Sequence, residues 1–421
     1  MKKIITVCLL ALMIIPMVSA ADVNKVDPEK SYALEVVSEY NMPLTARAKA
    51  MGGAGIAFPG RADAFFLNPA GLAKRGTVLL PSAEVTLYHP YDMLNPGESG
   101  KSLVDSLIEA QNSGDPNALT DAIEPLLGMI KSGRGKILDV NARVAFDFAG
   151  FAIGVNVDDS VHTFATGMGG IDSTLFDELN VTANVGLGLR FKIGDSFWID
   201  AGANFRPTFK AYSAAIGATD ILDVVQPPSD PNGTAVDPAT FFLEKLPVAA
   251  GVAYPFDVGI NFGNSWFSVG LVGRNILGSY NMKAYDNINS FYPNWTTAFK
   301  GGDFKISTPW TLDFGLGFKW DNAFFKPTFV ADFVDIIGCF TDENFTARSL
   351  MEHVKLGAEI RLLSFLDIRG GLNQGYWSVG AGLDLAIIKV DVAYYWQEFG
   401  EKLGDYGLDA VSVRINVGFD R

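Results

Sequence analysis

The sequence predicts an all-β fold: a transmembrane antiparallel β-barrel of about 14 strands, with an N-terminal hatch and helical insertions in its loops. Three observations lead there. Apolar and polar residues alternate with a period of two through segment after segment. Aromatic residues gather at the ends of those segments, on the apolar side. The composition is too apolar for an ordinary soluble chain, yet beyond the leader no stretch is long enough to cross a bilayer as a helix.

The alternation is clearest between Trp310 and Trp320. Trp310, Leu312, Phe314, Leu316, Phe318 and Trp320 fall on one strand face, and Thr311, Asp313, Gly315, Gly317 and Lys319 on the other. The runs 411–419 and 138–148 repeat it, as do those near 181–191, 199–205, 354–362 and 390–396. A soluble sandwich also alternates, because each of its sheets has one dry face. Against that reading stand Trp310, Trp320, Tyr394 and Trp396, placed at strand ends on the apolar face as interfacial girdles require. The segments are also longer than the five or six residues usual in sandwiches.

Counting alternating segments places strands near 77–89, 137–148, 150–166, 179–192, 196–211, 247–262, 265–276, 308–320 and 323–336, then 354–363, 365–373, 375–386, 387–398 and 410–420. The total is even, as in single-chain bacterial barrels. Lipid cannot satisfy backbone N–H and C=O groups, so the sheet is expected to close into a ring. Asp158-Asp159-Ser160 interrupts the third strand, as a kink within it or a turn between two. Tight links such as Asn373-Gln374-Gly375 suggest a periplasmic side that alternates with longer external loops. Within the barrel, 77–421, insertions fall at about 100–135, 213–246 and 277–307, with a fourth short helix expected at 342–351. In the first, Leu103, Leu107 and Leu126 recur with others at helical spacing, broken at Gly114-Asp115-Pro116.

Residues 1–20 read as a signal peptide. Lys2 and Lys3 precede an apolar run from Ile4 to Met17, and Val18-Ser19-Ala20 supplies the small residues that signal peptidase reads. The composition narrows the function classes further. The 421 residues include 44 Gly and 31 Phe, and only 19% are charged, below the roughly 25% typical of soluble proteins. A net charge of −14 leaves no basic stripe for a nucleic acid. His89, His162 and His353 have no partner motif, Cys339 has no neighbouring base, and no metal spacing, nucleophile elbow or phosphate loop appears, so neither catalysis nor a cofactor is expected.

Residues 21–76 precede the first strand and do not alternate. Their core runs from Ala46-Arg47-Ala48-Lys49-Ala50-Met51-Gly52-Gly53-Ala54-Gly55 through Arg61-Ala62-Asp63-Ala64 to Asn68-Pro69-Ala70-Gly71-Leu72. Small residues permit close backbone packing in a confined space, which suits a plug inside a barrel lumen. Gly52, Gly53 and Gly55 lack the strand–turn–helix setting of a nucleotide loop.

This run, with its A-R-A, A-M-G-G-A-G and N-P-A-G-L elements, resembles the N-terminal hatch of the FadL/TodX family. The resemblance implies a 14-stranded barrel closed by a hatch, and passive transport of long-chain fatty acids or other hydrophobic molecules across the outer membrane. It carries the gating element over to Asn68, Pro69 and Ala70, and places a sideways-opening kink of the third strand at Asp158, Asp159 and Ser160. Similar N-termini occur in related barrels that assist secretion. The C-terminus departs from the usual terminal aromatic, since Asp420 and Arg421 follow Phe419.

The expected partners are outer-membrane lipid and an apolar solute such as a fatty acid, captured first near Leu103, Leu107 and Leu126. A dry groove gains roughly 0.8 kcal/mol per methylene it buries. Asp313, Lys319, Lys355, Glu359, Arg361, Asp391 and Arg414 on the inward face read mainly as ion pairs that hold lumen and hatch together. Two other readings compete: a polar diffusion porin, and a structural or secretion-partner barrel that binds other envelope proteins.

Overall fold

A computed structural model describes residues 43–74, 77–79, 81–90, 106, 109, 113, 133–165, 173–217, 246–322, 324–341, 346–400 and 403–420. The strands form one closed antiparallel barrel of 14 staves. In chain order these are β1 (Thr77–Leu79 and Ser82–Tyr88), β2 (Gly133–Phe148), β3 (Phe151–Ala165), β4 (Ser173–Ile193) and β5 (Phe197–Phe205 and Thr208–Ser213). Then come β6 (Val248–Ala253 and Phe256–Gly263), β7 (Phe267–Ile276 and Tyr280–Tyr285), β8 (Phe304–Ile306 and Thr311–Lys319), β9 (Phe325–Phe333) and β10 (Val354–Leu362). The last four are β11 (Leu366–Asn373), β12 (Tyr376–Leu385), β13 (Ile388–Glu398) and β14 (Gly407–Val417 and Phe419–Asp420).

Each stave pairs with its sequence neighbours, and the ring closes where β1 pairs with β14, for example Val85 with Val413. Closure leaves no sheet edge for lipid to leave unsatisfied. The side chains are turned inside out relative to a soluble protein. On β4, Val185, Leu187, Leu189, Phe191 and Ile193 point outward and are about half exposed, whereas Thr182 and Asn184 point inward and are buried. Trp266 and Trp320 mark one rim of this apolar belt and Tyr254 and Trp310 the other.

Several expectations are corrected. β3 is one continuous strand: Asp159 pairs with Val140 on one side and Leu179 on the other, and Asp158 and Ser160 are paired likewise. The three polar residues do not interrupt it because backbone pairing carries the strand, while Asp158 and Ser160 find polar surroundings in the lumen. Breaks lie elsewhere: β1 and β14 each come in two pieces, and a further set lies at one level of four adjacent staves. Arg206-Pro207, Tyr254-Pro255, Leu277-Gly278-Ser279 and the stretch 307–310 split β5, β6, β7 and β8; Pro207, Pro255 and Pro309 each remove a ladder donor, whereas β7 breaks at a turn in which Leu277 has a φ of 63°. Arg206 N donates across this level to Pro255 O at 2.9 Å, and the Asn275 side-chain amide donates to Pro309 O at 3.1 Å.

The insertion expected at 277–307 is narrower, because β7 resumes to Tyr285 and β8 begins at Phe304. Near 342–351, helices Ile336–Thr341 and Ala347–Glu352 flank residues outside the described set. The Gln374-Gly375 turn sits at the same end as the long connections, not opposite them, because it joins β11 to β12 in the alternating order of links. Trp396, expected on the lipid face, stacks on Tyr376 and borders the internal cavity. Leu103, Leu107, Leu126, residues 1–20 and most of the insertions at 100–135 and 213–246 lie outside the described residues.

Candidate functional site

Pro43–Lys74 is a chain of short turns rather than a strand, and it packs against inward-facing residues of the wall such as Asp332 and Ser378. Helix α1 (Ala46–Ala50) starts at Thr45, whose hydroxyl accepts from Ala48 N–H and donates to Asp63 at 2.8 Å. It ends at Gly52 and Gly53, with φ of 63° and 71°, a left-handed turn that favours glycine. After the turn Arg61–Asp63, helix α2 (Ala64–Leu67) leads to Asn68, whose side-chain oxygen caps the turn Pro69–Ala73 by accepting from Ala70 N–H at 2.9 Å.

Wall glycines make room for this segment. A Cβ added at Gly202 on β5 would come within 3 Å of Pro69 O, at Gly259 on β6 of the Asn68 side chain, and at Gly315 on β8 of Ile56. The same holds at Gly371 on β11 against Met51 and Gly52, and at Gly380 on β12 against Ala50. Single glycines in separate strands thus line up at one level of the closed barrel, where the hatch backbone rests directly on the wall.

Polar wall residues then satisfy the hatch's backbone, as a buried irregular segment demands. Asp332 accepts from Gly55 N–H at 2.6 Å and Ile56 N–H at 3.0 Å. Ser378 accepts from Gly52 N–H and donates to Ala50 O, at 3.0 and 2.9 Å. Arg143 reaches Ala62 O and Pro43 O, both at 2.6 Å, while Arg274 donates to Phe66 O and Leu67 O. The Asn68 amide donates to Ile56 O at 3.0 Å and to Asn261 at 2.7 Å.

Two hatch cations complete the seat. Arg47 makes a two-point contact with Glu359 on β10, and Lys49 pairs with Glu84 on β1 at 2.8 Å. Burial alone would lower both pKa values; the facing carboxylates Glu359 and Glu84 outweigh it and raise them. Lys74 differs. Burial, then Lys319, Arg47 and Arg61, push its amine down to about 8. The other inward charges lock the wall: Arg369 bridges Glu359, Asp391 and Asp367, Arg361 joins Asp367, and Arg274 joins Asp313. Lys319 lies 5.0 Å from the Phe58 ring centre, and Lys355 beside Gly53.

On the long-loop side of the hatch lies a cavity of about 510 Å³. Leu44, Lys49, Gly52 and Gly53 line it on the hatch side; Glu84, Asp139, Asp158, His162, Glu178, Lys355 and Tyr395 are among its walls. It is a polar chamber; the dry groove expected for an acyl chain falls among insertions that lie outside the described residues. Apolar clusters flank the chamber, one of Phe176, Tyr212, Tyr280, Met282 and Ile306 and another of Tyr88, Tyr395 and Leu408. The chamber meets the first cluster where His162 stacks on Phe176, 4.7 Å between ring centres. Sequence reasoning placed Gly52, Gly53, Gly55, Asn68, Pro69 and Ala70 in one segment, and the structure brings them together against the wall. It missed their wall partners Asp332, Asn261 and Ser378 and the seat glycines; their inward strand parity was visible, their common level was not.

With this geometry in place, comparison with solved structures finds whole-chain similarity in fold. The barrel is similar to hydrocarbon channels. The CymD monoaromatic hydrocarbon channel aligns at a TM-score of 0.48 and 13% identity, covering 91% of this chain and 99% of its own. The Ralstonia pickettii toluene transporter TbuX aligns at 0.46 and 12%, covering 90% and 98%. A Pseudomonas aeruginosa FadL homologue aligns at 0.42 and 12%, covering 89% and 98%. No protein-family model and no curated protein matches the sequence.

Proposed function

We propose that the protein is a passive outer-membrane channel for hydrophobic small molecules, gated by its hatch, with long-chain fatty acids as the simplest solutes. The observation that supports this is the seat: Pro43–Lys74 is held against the inward wall by hydrogen bonds and ion pairs that are individually reversible. A solute enters the chamber from the long-loop side, with its polar end among Lys355, His162 and Tyr395. Displacement of the turn around Asn68-Pro69-Ala70 then opens the way to the short-turn side. The polar chamber suits solutes that carry a polar group on an apolar body. A sideways exit at Asp158–Ser160 would require the paired β3 to part from β2 or β4.

The test is a hatch lock. Arg47→Cys with Glu359→Cys, joined by a short bismaleimide, ties hatch to wall in whole cells; labelled oleate uptake is then compared with that of the unlinked pair. Loss of uptake on linking supports gating, and equal uptake sinks it. The polar lining also favours a second reading, a diffusion pore for hydrophilic solutes. That pore conducts ions steadily in planar bilayers with the hatch linked, whereas the gated channel does not. A secretion-partner barrel would take up no oleate and retain envelope proteins through purification.

A further inference from the structure

We propose that residues 287–299, the outer part of the loop between β7 and β8, are a membrane-interface anchor: an element outside the barrel wall that sets Tyr292 and Trp295 into the headgroup layer of the surrounding lipid.

The segment is Asn-Ile-Asn-Ser-Phe-Tyr-Pro-Asn-Trp-Thr-Thr-Ala-Phe, without a charge between Asp286 and Lys300. It folds as helix α3 (Ile288–Asn294), begun by a reciprocal cap between Asn287 and Ser290, and a following turn Trp295–Phe299. It does not cover the lumen. Lys210, Tyr212 and Met282 face inward, so Phe209, Ala250, Val252 and Tyr285, one residue out of phase, face outward. The loop packs on that outward face. Phe291 and Phe299 sit about 6 Å from the Phe209 ring, Phe291 meets Tyr285 edge to face, and Tyr285 hydrogen-bonds Thr297 at 2.8 Å. Ala250 and Val252 are buried beneath it although they point away from the lumen.

Among the described residues nothing covers its other face. Tyr292 is 79% exposed and Trp295 52%, and no residue of α3 is buried. Height selects the occupant. The outward row of β5 runs from Phe197 through Phe205 to Phe209; at about 3.3 Å per residue and a tilt of roughly 40°, Phe209 lies about 30 Å above Phe197, the far boundary of a hydrocarbon core. The aromatic surface is also continuous with the belt. Phe205 contacts Phe256 and Tyr254, ring centres 4.7 and 6.5 Å apart, and the loop's rings follow immediately above. An uncharged element with Tyr and Trp on its free face, at that level, matches the headgroup layer, where amphipathic rings are at home.

The test uses the full chain in dioleoylphosphatidylcholine vesicles, with a nitroxide on Tyr292→Cys or, separately, on Trp295→Cys. Both positions are exposed and outside the staves, and Cys339 is fully buried, so the unsubstituted chain reports background labelling. The expected result is high collision with oxygen and low collision with a nickel chelate at both sites. Free access of the chelate overturns the proposal, as does protection from both reagents, which indicates a protein partner or a second copy. Protection that appears only after oleate is added also overturns it, because the surface then belongs to solute capture.

Discussion

Arg47 in the hatch and Glu359 on β10 are joined by two parallel hydrogen bonds of 2.9 and 3.0 Å, and they lie 312 residues apart in the chain. Glu359 also accepts from Arg369 at 2.7 Å, so the hatch is attached to the same network that ties β10, β11 and β13 together. Burial alone would lower the pKa of Arg47, and the facing Glu359 carboxylate outweighs it and keeps the guanidinium firmly charged.

Replacing Arg47 with Ala leaves Glu359 partly satisfied by Arg369, so the loss is expected near the lower end of charge-assisted bonds, about 1.5 kcal/mol of hatch docking. The barrel itself should keep its heat-modifiable mobility on gels. Faster proteolysis of the hatch, at unchanged barrel stability, is the expected reading; identical proteolysis would mean that the pair does not hold the hatch.

Gly202→Leu places a side chain where Pro69 O now rests, with backbone on both sides and no flexible end to yield. The hatch is expected to lift while the ring still closes, raising conductance in planar bilayers. Gly273→Ala is the control, since its nearest atom would be 3.5 Å away, in ordinary contact. Equal conductance for the two variants would show that the seat does not bear on closure.

Asn68 is fully buried and its amide and carbonyl are both used. Asn68→Leu keeps the volume but strands Ile56 O and Ala70 N–H, at about 1–3 kcal/mol for each group left unsatisfied. Amide exchange in residues 56–73 should accelerate, with little change in the staves.

Lys74 introduces a pH dependence of definite sign. Its ordinary value of 10.5 falls to about 8 when the hatch is docked, so the released hatch binds more protons between those values. Docking is therefore expected to tighten as pH rises from about 8 towards 10.5, and Lys74→Met to abolish that rise. Lys49 acts oppositely but later: its raised pKa gives stability that is full below 10.5 and lost only at higher pH. Hatch protection that falls across that window would contradict the burial of Lys74.

On the outward face, Leu189→Arg puts a guanidinium into lipid near the middle of β4's apolar row. A cost of about 2–4 kcal/mol in refolding from urea into vesicles is expected, following the depth dependence of basic residues in barrels.

The number of staves and their inward and outward faces were legible in the linear sequence, because the pleat forces a period of two and lipid punishes any charge out of phase. Leu187, Leu189 and Phe191 announce their exposure through their neighbours alone. Tertiary structure alone decided what seats the hatch. Gly202, Gly259, Gly315 and Gly371 look like scattered strand glycines until closure and stagger bring them to one level, and Asn68–Asn261 or Gly55–Asp332 are pairs that no local spacing encodes. The breaks in β5 to β8 escaped for a similar reason: Pro207, Pro255 and Pro309 interrupt their staves while Pro327 sits within a paired one, and only the aligned neighbours show that four staves break at one level. Local periodicity records which solvent each residue meets; contacts across hundreds of residues depend on ring geometry, which no single strand contains.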